Sequence, residues 1–189
     1  TSGTFNRVPV LGGNVQDEGT FSIGISQYFS VFASFPNMAQ VPISAEQYVA
    51  SLTAIYTGHA GPGGTPPAYP PGTADAVLAE YPLTNYATPI LAYDAVTTHP
   101  GTCRANKALG LLSQWVPVYA YEFNYQDAPY YFPPMPGFFP LAAHTIDIQF
   151  LFPVWHGGIL GVPGASQSPG LTAQEASLSD GLVAAGTKF

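Results

Sequence analysis

Charged side chains are scarce in this chain, and basic side chains are the scarcest. Lys, Arg, Asp and Glu make up 8% of the 189 residues, and only four residues are Lys or Arg. A typical globular protein has about 25% charged residues. A net charge of −7 with four cations argues against binding to nucleic acids or to anionic membranes, because both need many positive charges.

Long apolar runs and paired cysteines are also missing. Pro, Gly or polar residues interrupt every apolar stretch before the about 20 residues that a transmembrane helix needs, so we expect no membrane span. The single cysteine, Cys103, permits no internal disulfide. We expect it to be a small buried residue of a helix, since only Arg104 offers a positive charge that could activate a thiolate.

Hydrophobic residues are plentiful, at 47% of the chain. With so few charges, part of the surface is expected to lie against another protein surface, because large apolar patches mark interfaces. A secreted protein covered by uncharged polar residues explains the composition equally well. Scarce Lys and abundant Ser, Thr, Gly and Pro favour export to a secreted or periplasmic location.

Two segments have the pattern of strands, and several others have the pattern of helices. The apolar run 8–13, which ends in glycines, and the aromatic and β-branched run 116–125 predict strands. The aromatic-rich segment 21–35 is expected in the interior or lining a pocket. Helices are predicted at 44–58 and from Thr172 onward, each with a capping box, and at 74–81, 84–98 and 103–113.

Strands separated by helices predict an α/β fold with a parallel or mixed sheet flanked by helices. Two strands are too few for such a sheet, because parallel strands need both faces covered. The sequence is therefore expected to be the end of a larger fold, whose sheet is completed by a missing N-terminal portion. The Gly/Pro-rich segment 58–72 is expected to be an insertion loop within this single domain.

Two adjacent carboxylates and one imidazole are the side chains that could take part in acid–base catalysis. Asp17 and Glu18 follow the first strand, where they could serve a catalytic site or simply cap the next turn. His144 beside two alanines could be a base or a structural residue. No His spacing suggests a metal site. The aromatic residues near His144 could line an apolar pocket or belong to the core or an interface; they are Tyr130, Tyr131, Phe132, Phe138 and Phe139.

Five sequence blocks together resemble the C-terminal part of the type-B carboxylesterases, the family that includes cholinesterases and bacterial p-nitrobenzyl esterases. The resemblance covers nearly the whole chain apart from 58–72, and its strength lies in the order of the blocks, since each is weak alone. The blocks are VPVLGGNVQDEGTF, LAYDAVTTHP, PVYAYEFNY, AAHTIDIQFLF and LTAQEASLSDGLVAAGTKF.

The resemblance implies an α/β-hydrolase that cleaves carboxylic esters with a Ser, Glu (or Asp) and His triad. By motif, Glu18 in DEG matches the triad acid, and His144 in AAHTIDIQFLF matches the base. Asp147 falls where the family usually has a Glu that supports the His loop. Phe138 and Phe139 are candidates for lining the ester pocket. The resemblance implies neither a cofactor nor a metal.

The nucleophile of this family is not in the sequence. No G-x-S-x-G motif occurs in the 189 residues. The two serines whose surroundings are most similar to this motif, Ser26 and Ser166, lack its second glycine, and both come after Glu18 in the chain. We therefore expect the partner of this chain to be an N-terminal portion of the same enzyme that carries the serine, and the segment alone to be inactive. The alternatives are a non-catalytic adhesion module, which some relatives have become, and a structural fragment without activity.

Overall fold

The computed structural model describes residues 4–29, 43–57, 69–130, 135, 137–152 and 171–188. These residues form a mixed helix and strand structure with one small parallel sheet. They divide into two compact units, one of 1–18, 98–133 and 140–189, the other of 19–97 and 134–139. In chain order the elements are β1 (Val10–Val15), α1 (Glu18–Phe29), α2 (Ala45–Tyr56), α3 (Thr73–Glu80), a 3-10 turn (Leu83–Asn85), α4 (Pro89–Leu112), β2 (Val118–Phe123), α5 (Ile148–Leu151) and α6 (Ala173–Thr187).

The sheet of the first unit consists of β1 and β2, which run parallel. Val10 lies opposite Val118 at one end, and Val15 lies opposite Phe123 at the other. Val15 and Phe123 are both buried, so the carboxyl ends of the strands are the better-covered end of the sheet. Because the strands are parallel, the segments that follow them leave from the same edge.

Both predicted strands are present, but their bounds differ from the prediction for backbone reasons. The first was predicted at 8–13 and lies at Val10–Val15. The strand begins later than predicted, at Val10, because Pro9 has no N–H to donate. It also ends later than predicted, because the glycines do not end it. Instead, Gly13 allows close approach to β2, since a Cβ there would lie 2.6 Å from the side chain of Tyr121.

The second strand was predicted at 116–125 and is shorter, at Val118–Phe123. Pro117 precedes it and has no N–H, but its carbonyl accepts a hydrogen bond of 2.9 Å from the backbone N–H of Val10. Pairing between the two strands therefore begins at this proline, although β2 itself starts one residue later.

The predicted break between the helices 84–98 and 103–113 is wrong. One helix, α4, begins at Pro89, five residues later than predicted, and continues through Pro100 to Leu112. A proline inside a helix costs about 3 kcal/mol, because it removes a hydrogen bond and crowds the preceding turn. The first half of α4 is largely buried, which favours a continuous helix against that cost; its buried residues are Ile90, Ala92, Tyr93, Asp94, Ala95, Val96 and Thr98.

The prediction that Cys103 is buried is also wrong, although the residue does lie in a helix. Its side chain is exposed. In the second half of α4, Thr102 accepts a hydrogen bond of 3.4 Å from Asn14, and Leu109 lies against Gly12, so these two residues mark the face toward β1. With 3.6 residues per turn, Cys103 lies about 100° around the helix from Thr102, off that face.

The predicted caps of two helices are confirmed. Ser44 and Gln47 form a reciprocal capping box at the start of α2, and Thr172 and Glu175 form one at the start of α6. The helix predicted at 74–81 is also confirmed, one residue earlier, as α3. Segment 21–35 is helical as far as Phe29, with Ile23 buried; its remainder and most of the loop 58–72 lie outside the described residues.

Each unit has its own buried centre. In the first, α5 packs on α6, and the Ser179 hydroxyl donates a hydrogen bond of 2.5 Å to the carbonyl of Phe150. The ring of Phe150 lies 5.1 Å from that of Phe123, which joins α5 to the end of β2. In the second unit, α2 packs on α3, with Tyr48 and Leu52 buried. In the part of the chain that is described, no helix is long and apolar enough to cross a membrane.

Candidate active site

Glu18 lies just beyond the carboxyl end of β1, and its side chain folds back toward that strand. After Val15 the chain makes one further bond of the sheet, from the Gln16 N–H to the carbonyl of Phe123, at 2.9 Å. Glu18 then begins α1, and its Oε1 accepts a hydrogen bond of 3.3 Å from the backbone N–H of Val15. The acid is thereby held against the most buried residue of its own strand.

His144 projects from a loop whose other side chains are largely buried. Ala142, Ala143 and Ile146 are all 0% exposed. Leu141 and Thr145, on either side of the histidine, have positive φ angles of 54° and 69°. Such conformations are unfavourable for these residue types, and a β-branched residue rarely adopts them, so the surrounding contacts must hold this loop in place.

The contact that the sequence predicted between Glu18 and His144 is present. Nδ1 of His144 lies 2.5 Å from Oε2 of Glu18, although the two residues are 126 positions apart. The side chains are 55% and 29% exposed, so the pair lies at the surface of the first unit. An ionised carboxylate only accepts, so the Nδ1 of a neutral imidazole carries the proton here, and Nε2 is the basic nitrogen.

The electrostatic surroundings of the pair favour the protonated imidazole. The hydrogen bond with Glu18 raises the pKa of His144 above its ordinary 6.5, partial burial lowers it, and the charges of Glu18 and Asp147 raise it further. Burial also raises the pKa of the Asp147 carboxyl, and the charge of Glu18 adds to that rise. Asp147 thus lies within electrostatic range of both predicted catalytic residues, at the residue that precedes α5.

Asp17, which the sequence offered only as one of two adjacent carboxylates, contacts the histidine loop in a way that was not predicted. Its backbone pairs in parallel with Ala143, and its N–H donates to the carbonyl of Ala142 at 3.0 Å. Its Oδ2 accepts the N–H of Ala142, also at 3.0 Å. Burial raises the pKa of the Asp17 carboxyl, the N–H of Ala142 lowers it and the charge of Glu122 raises it. A side chain that bonds to a backbone 125 residues away leaves no local sequence pattern, so only the adjacent carboxylate of Glu18 drew attention to it.

Gly19, directly after the acid, fits a space that only glycine can occupy. A Cβ at this position would collide with the Thr97 hydroxyl and would lie 2.8 Å from Oδ1 of Asp94, both on α4. We expect Gly19→Ala to destabilise the fold by about 1–3 kcal/mol, the usual cost of overpacking. A lower urea midpoint for unfolding, followed by circular dichroism, measures this effect.

Gly110, in the second half of α4, provides the matched control. A Cβ there would meet no atom within 4 Å. Because alanine favours a helix over glycine, Gly110→Ala should raise the free energy of unfolding by about 0.5–1 kcal/mol. Equal effects of the two substitutions, in size and sign, contradict the close approach at Gly19.

The remaining predicted residues are not tested by the geometry of this site. Phe138 is buried and Phe139 is 72% exposed, and both belong to the second unit, so pocket lining stays a prediction. Tyr131 and Phe132 lie outside the described residues, as do His59 and His156. Within the described ranges, no group of three His, Cys, Asp or Glu side chains could hold a metal ion.

The described site therefore contains a carboxylate and an imidazole in hydrogen-bond contact, a second carboxylate nearby, and a third that holds the histidine loop. The first pair has the residue types and contact of a general base with its orienting acid. The comparisons with known proteins add no family to this description. Neither a protein-family model nor a curated protein matches this chain.

Proposed function

We propose that this chain is the C-terminal part of a serine carboxylester hydrolase, in which Glu18 and His144 are the acid and base of the catalytic triad. The observation that carries the proposal is the contact between the Glu18 carboxylate and Nδ1 of His144 at the carboxyl ends of two parallel strands. In open α/β sheets this edge is where ligands bind. The resemblance to type-B carboxylesterases supports the same two roles.

The sheet supports the further proposal of an α/β-hydrolase fold that is completed by more polypeptide. A two-stranded parallel sheet is marginal alone, because parallel strands are normally covered on both faces. The four central residues of β2 are exposed, and Tyr119 is 57% exposed. Additional strands and helices from an upstream portion, which would also carry the serine, would cover such a surface.

Acylation in this proposal begins with a serine hydroxyl outside these 189 residues. As the serine oxygen attacks the ester carbonyl, Nε2 of His144 takes its proton, and the carbonyl electrons move to the oxygen. Glu18 keeps the imidazole in the tautomer with a basic Nε2 and stabilises the imidazolium that forms. The imidazolium then gives its proton to the departing alcohol, which leaves an acyl-enzyme.

Deacylation repeats these steps with water as the nucleophile. His144 takes a proton from a water molecule as the water oxygen attacks the acyl carbon. His144 then gives that proton to the serine oxygen as the carboxylic acid leaves. Asp147 lies close enough for its charge to raise the pKa of His144, so it also favours the imidazolium. The residues of this chain thus hold and move one proton. The ester supplies the electrophilic carbon, and the nucleophile is the serine outside these residues or water.

The raised pKa of His144 sets the expected pH dependence. The base is active when neutral, so kcat/KM of the complete enzyme should rise with pH through the pKa of His144. Because Glu18 raises that pKa above 6.5, the acidic limb of the pH profile should be centred above 6.5. A pH series with an activated ester measures this limb, and a midpoint below 6.5 contradicts the expected effect of Glu18.

A fluorophosphonate probe tests the proposed function, because it phosphonylates a serine only where a base activates that serine. The complete protein that contains these residues is incubated with the probe, digested and analysed by mass spectrometry. We expect one labelled serine, in a G-x-S-x-G peptide outside residues 1–189, and no label after His144→Gln. An unlabelled but folded complete protein would contradict the hydrolase and favour a non-catalytic adhesion module.

A further inference from the structure

We propose that Asp17 is a positioning residue, whose carboxylate fixes the backbone of the His144 loop so that the imidazole meets Glu18. The catalytic meaning of this inference rests on the proposed function, but the geometry it describes does not. Adjacent acidic residues thereby have separate tasks, since Asp17 holds the loop and Glu18 holds the ring.

Two hydrogen bonds join Asp17 to a single residue of the loop. Its backbone N–H donates to the carbonyl of Ala142, and its Oδ2 accepts the N–H of Ala142, each at 3.0 Å. Bonds to both the N–H and the carbonyl of one residue fix the position of that residue and the orientation of its backbone. Ala142 precedes His144 by two residues, so an error here would displace the ring directly.

The backbone of this loop needs such an external anchor. Leu141 and Thr145 both have positive φ, which persists only where surrounding contacts impose it. A turn that is held by its own sequence would place glycine or asparagine at these positions. Asp17 contacts the loop between those two residues, so its bonds act on the segment that the strained residues enclose.

A carboxylate suits this anchor, although its surroundings oppose its negative charge. Burial and the charge of Glu122 both raise the pKa of Asp17, which means that they oppose its ionised form. An ionised acceptor makes a stronger hydrogen bond to an N–H group than a neutral one does. Asparagine at this position keeps an oxygen acceptor for Ala142, whereas alanine removes it.

The pKa of His144 can report on this geometry. The hydrogen bond to Glu18 is the largest cause of the raised pKa of His144, and the charges of Glu18 and Asp147 raise this pKa further. Removal of Asp17 should therefore change the pKa of His144 mainly by moving the ring away from Glu18. A merely structural role of Asp17 in overall stability would leave that pKa raised in the folded protein.

The experiment is an NMR titration of the His144 ring in the complete protein that contains these residues and in its variants. We expect Asp17→Ala to shift the pKa of His144 downward, toward 6.5, and Asp17→Asn to retain most of the elevation. Asp127→Ala, which removes an exposed carboxylate of the same unit, is the control and should leave the pKa unchanged. A folded Asp17→Ala variant that keeps the raised pKa overturns the inference.

Two further measurements keep the result decisive. If Asp17→Ala fails to fold by circular dichroism, amide hydrogen exchange in the unsubstituted protein decides: slow exchange at Ala142 supports the anchor, and fast exchange overturns it. Glu18→Gln in the same titration separates the two proposals. If Glu18→Gln leaves the pKa of His144 raised, the proposed pairing of Glu18 with His144 is contradicted. If Glu18→Gln lowers the pKa of His144 and Asp17→Ala does not, only the proposed role of Asp17 is contradicted.

Discussion

Replacing His144 with glutamine is expected to lower kcat of the proposed complete ester hydrolase by about 10⁶-fold, because the proposed serine then has no base. Glutamine keeps a polar side chain of similar length, so the exposed loop should tolerate it; the imidazole is 55% exposed. Its amide cannot accept and return a proton near neutral pH. The release of p-nitrophenol from a p-nitrophenyl ester, followed at saturating substrate, measures the loss.

His99→Gln is the matched control for this prediction. His99 lies on α4 and is exposed, and neither the resemblance nor the geometry places it in the proton transfer. The control should retain the unsubstituted rate and the unsubstituted circular dichroism spectrum. A folded His144→Gln variant that loses less than about tenfold would contradict the assignment of the base, because a general base contributes at least about 10².

Local chemistry made the starts of α2 and α6 predictable. A capping box needs only residues three positions apart, so Ser44 with Gln47 and Thr172 with Glu175 could be identified from sequence. The prediction of separate helices at 84–98 and 103–113 was wrong, because α4 continues through Pro100. The burial of side chains earlier in α4, which favours the continuous helix, depends on residues far along the chain and leaves no local sequence pattern.

The same distinction between local and distant contacts applies to the site. The contact between Glu18 and His144 could be predicted because each lies in a motif of the resemblance, and because strands predicted before both residues place their loops at one edge of a sheet. The contact of Asp17 with the loop could not be predicted, because its hydrogen bond to Ala142 depends on the register of β1 beside β2 and on the path of the later loop. The positive φ values of Leu141 and Thr145 could not be predicted from the sequence either, since neither residue type favours them.

Glu18→Gln should lower kcat by about 10⁴-fold and leave KM nearly unchanged, because the carboxylate acts when the imidazole becomes charged. The Gln side-chain NH₂ can donate to Nδ1, which places the imidazole proton on Nε2 and leaves no base toward the serine. Glu80→Gln, an identical change on the exposed side of α3, is the control and should retain full activity.

The double variant tests whether the two residues act as one unit. If Glu18 works only through the imidazole that it contacts, then Glu18→Gln should cause no further loss in a protein that already carries His144→Gln. Independent roles would instead multiply the two losses. The ratio of kcat values across the four proteins measures this coupling. Multiplied losses would mean that Glu18 supports hydrolysis by another route, although its carboxylate lies 2.5 Å from the ring.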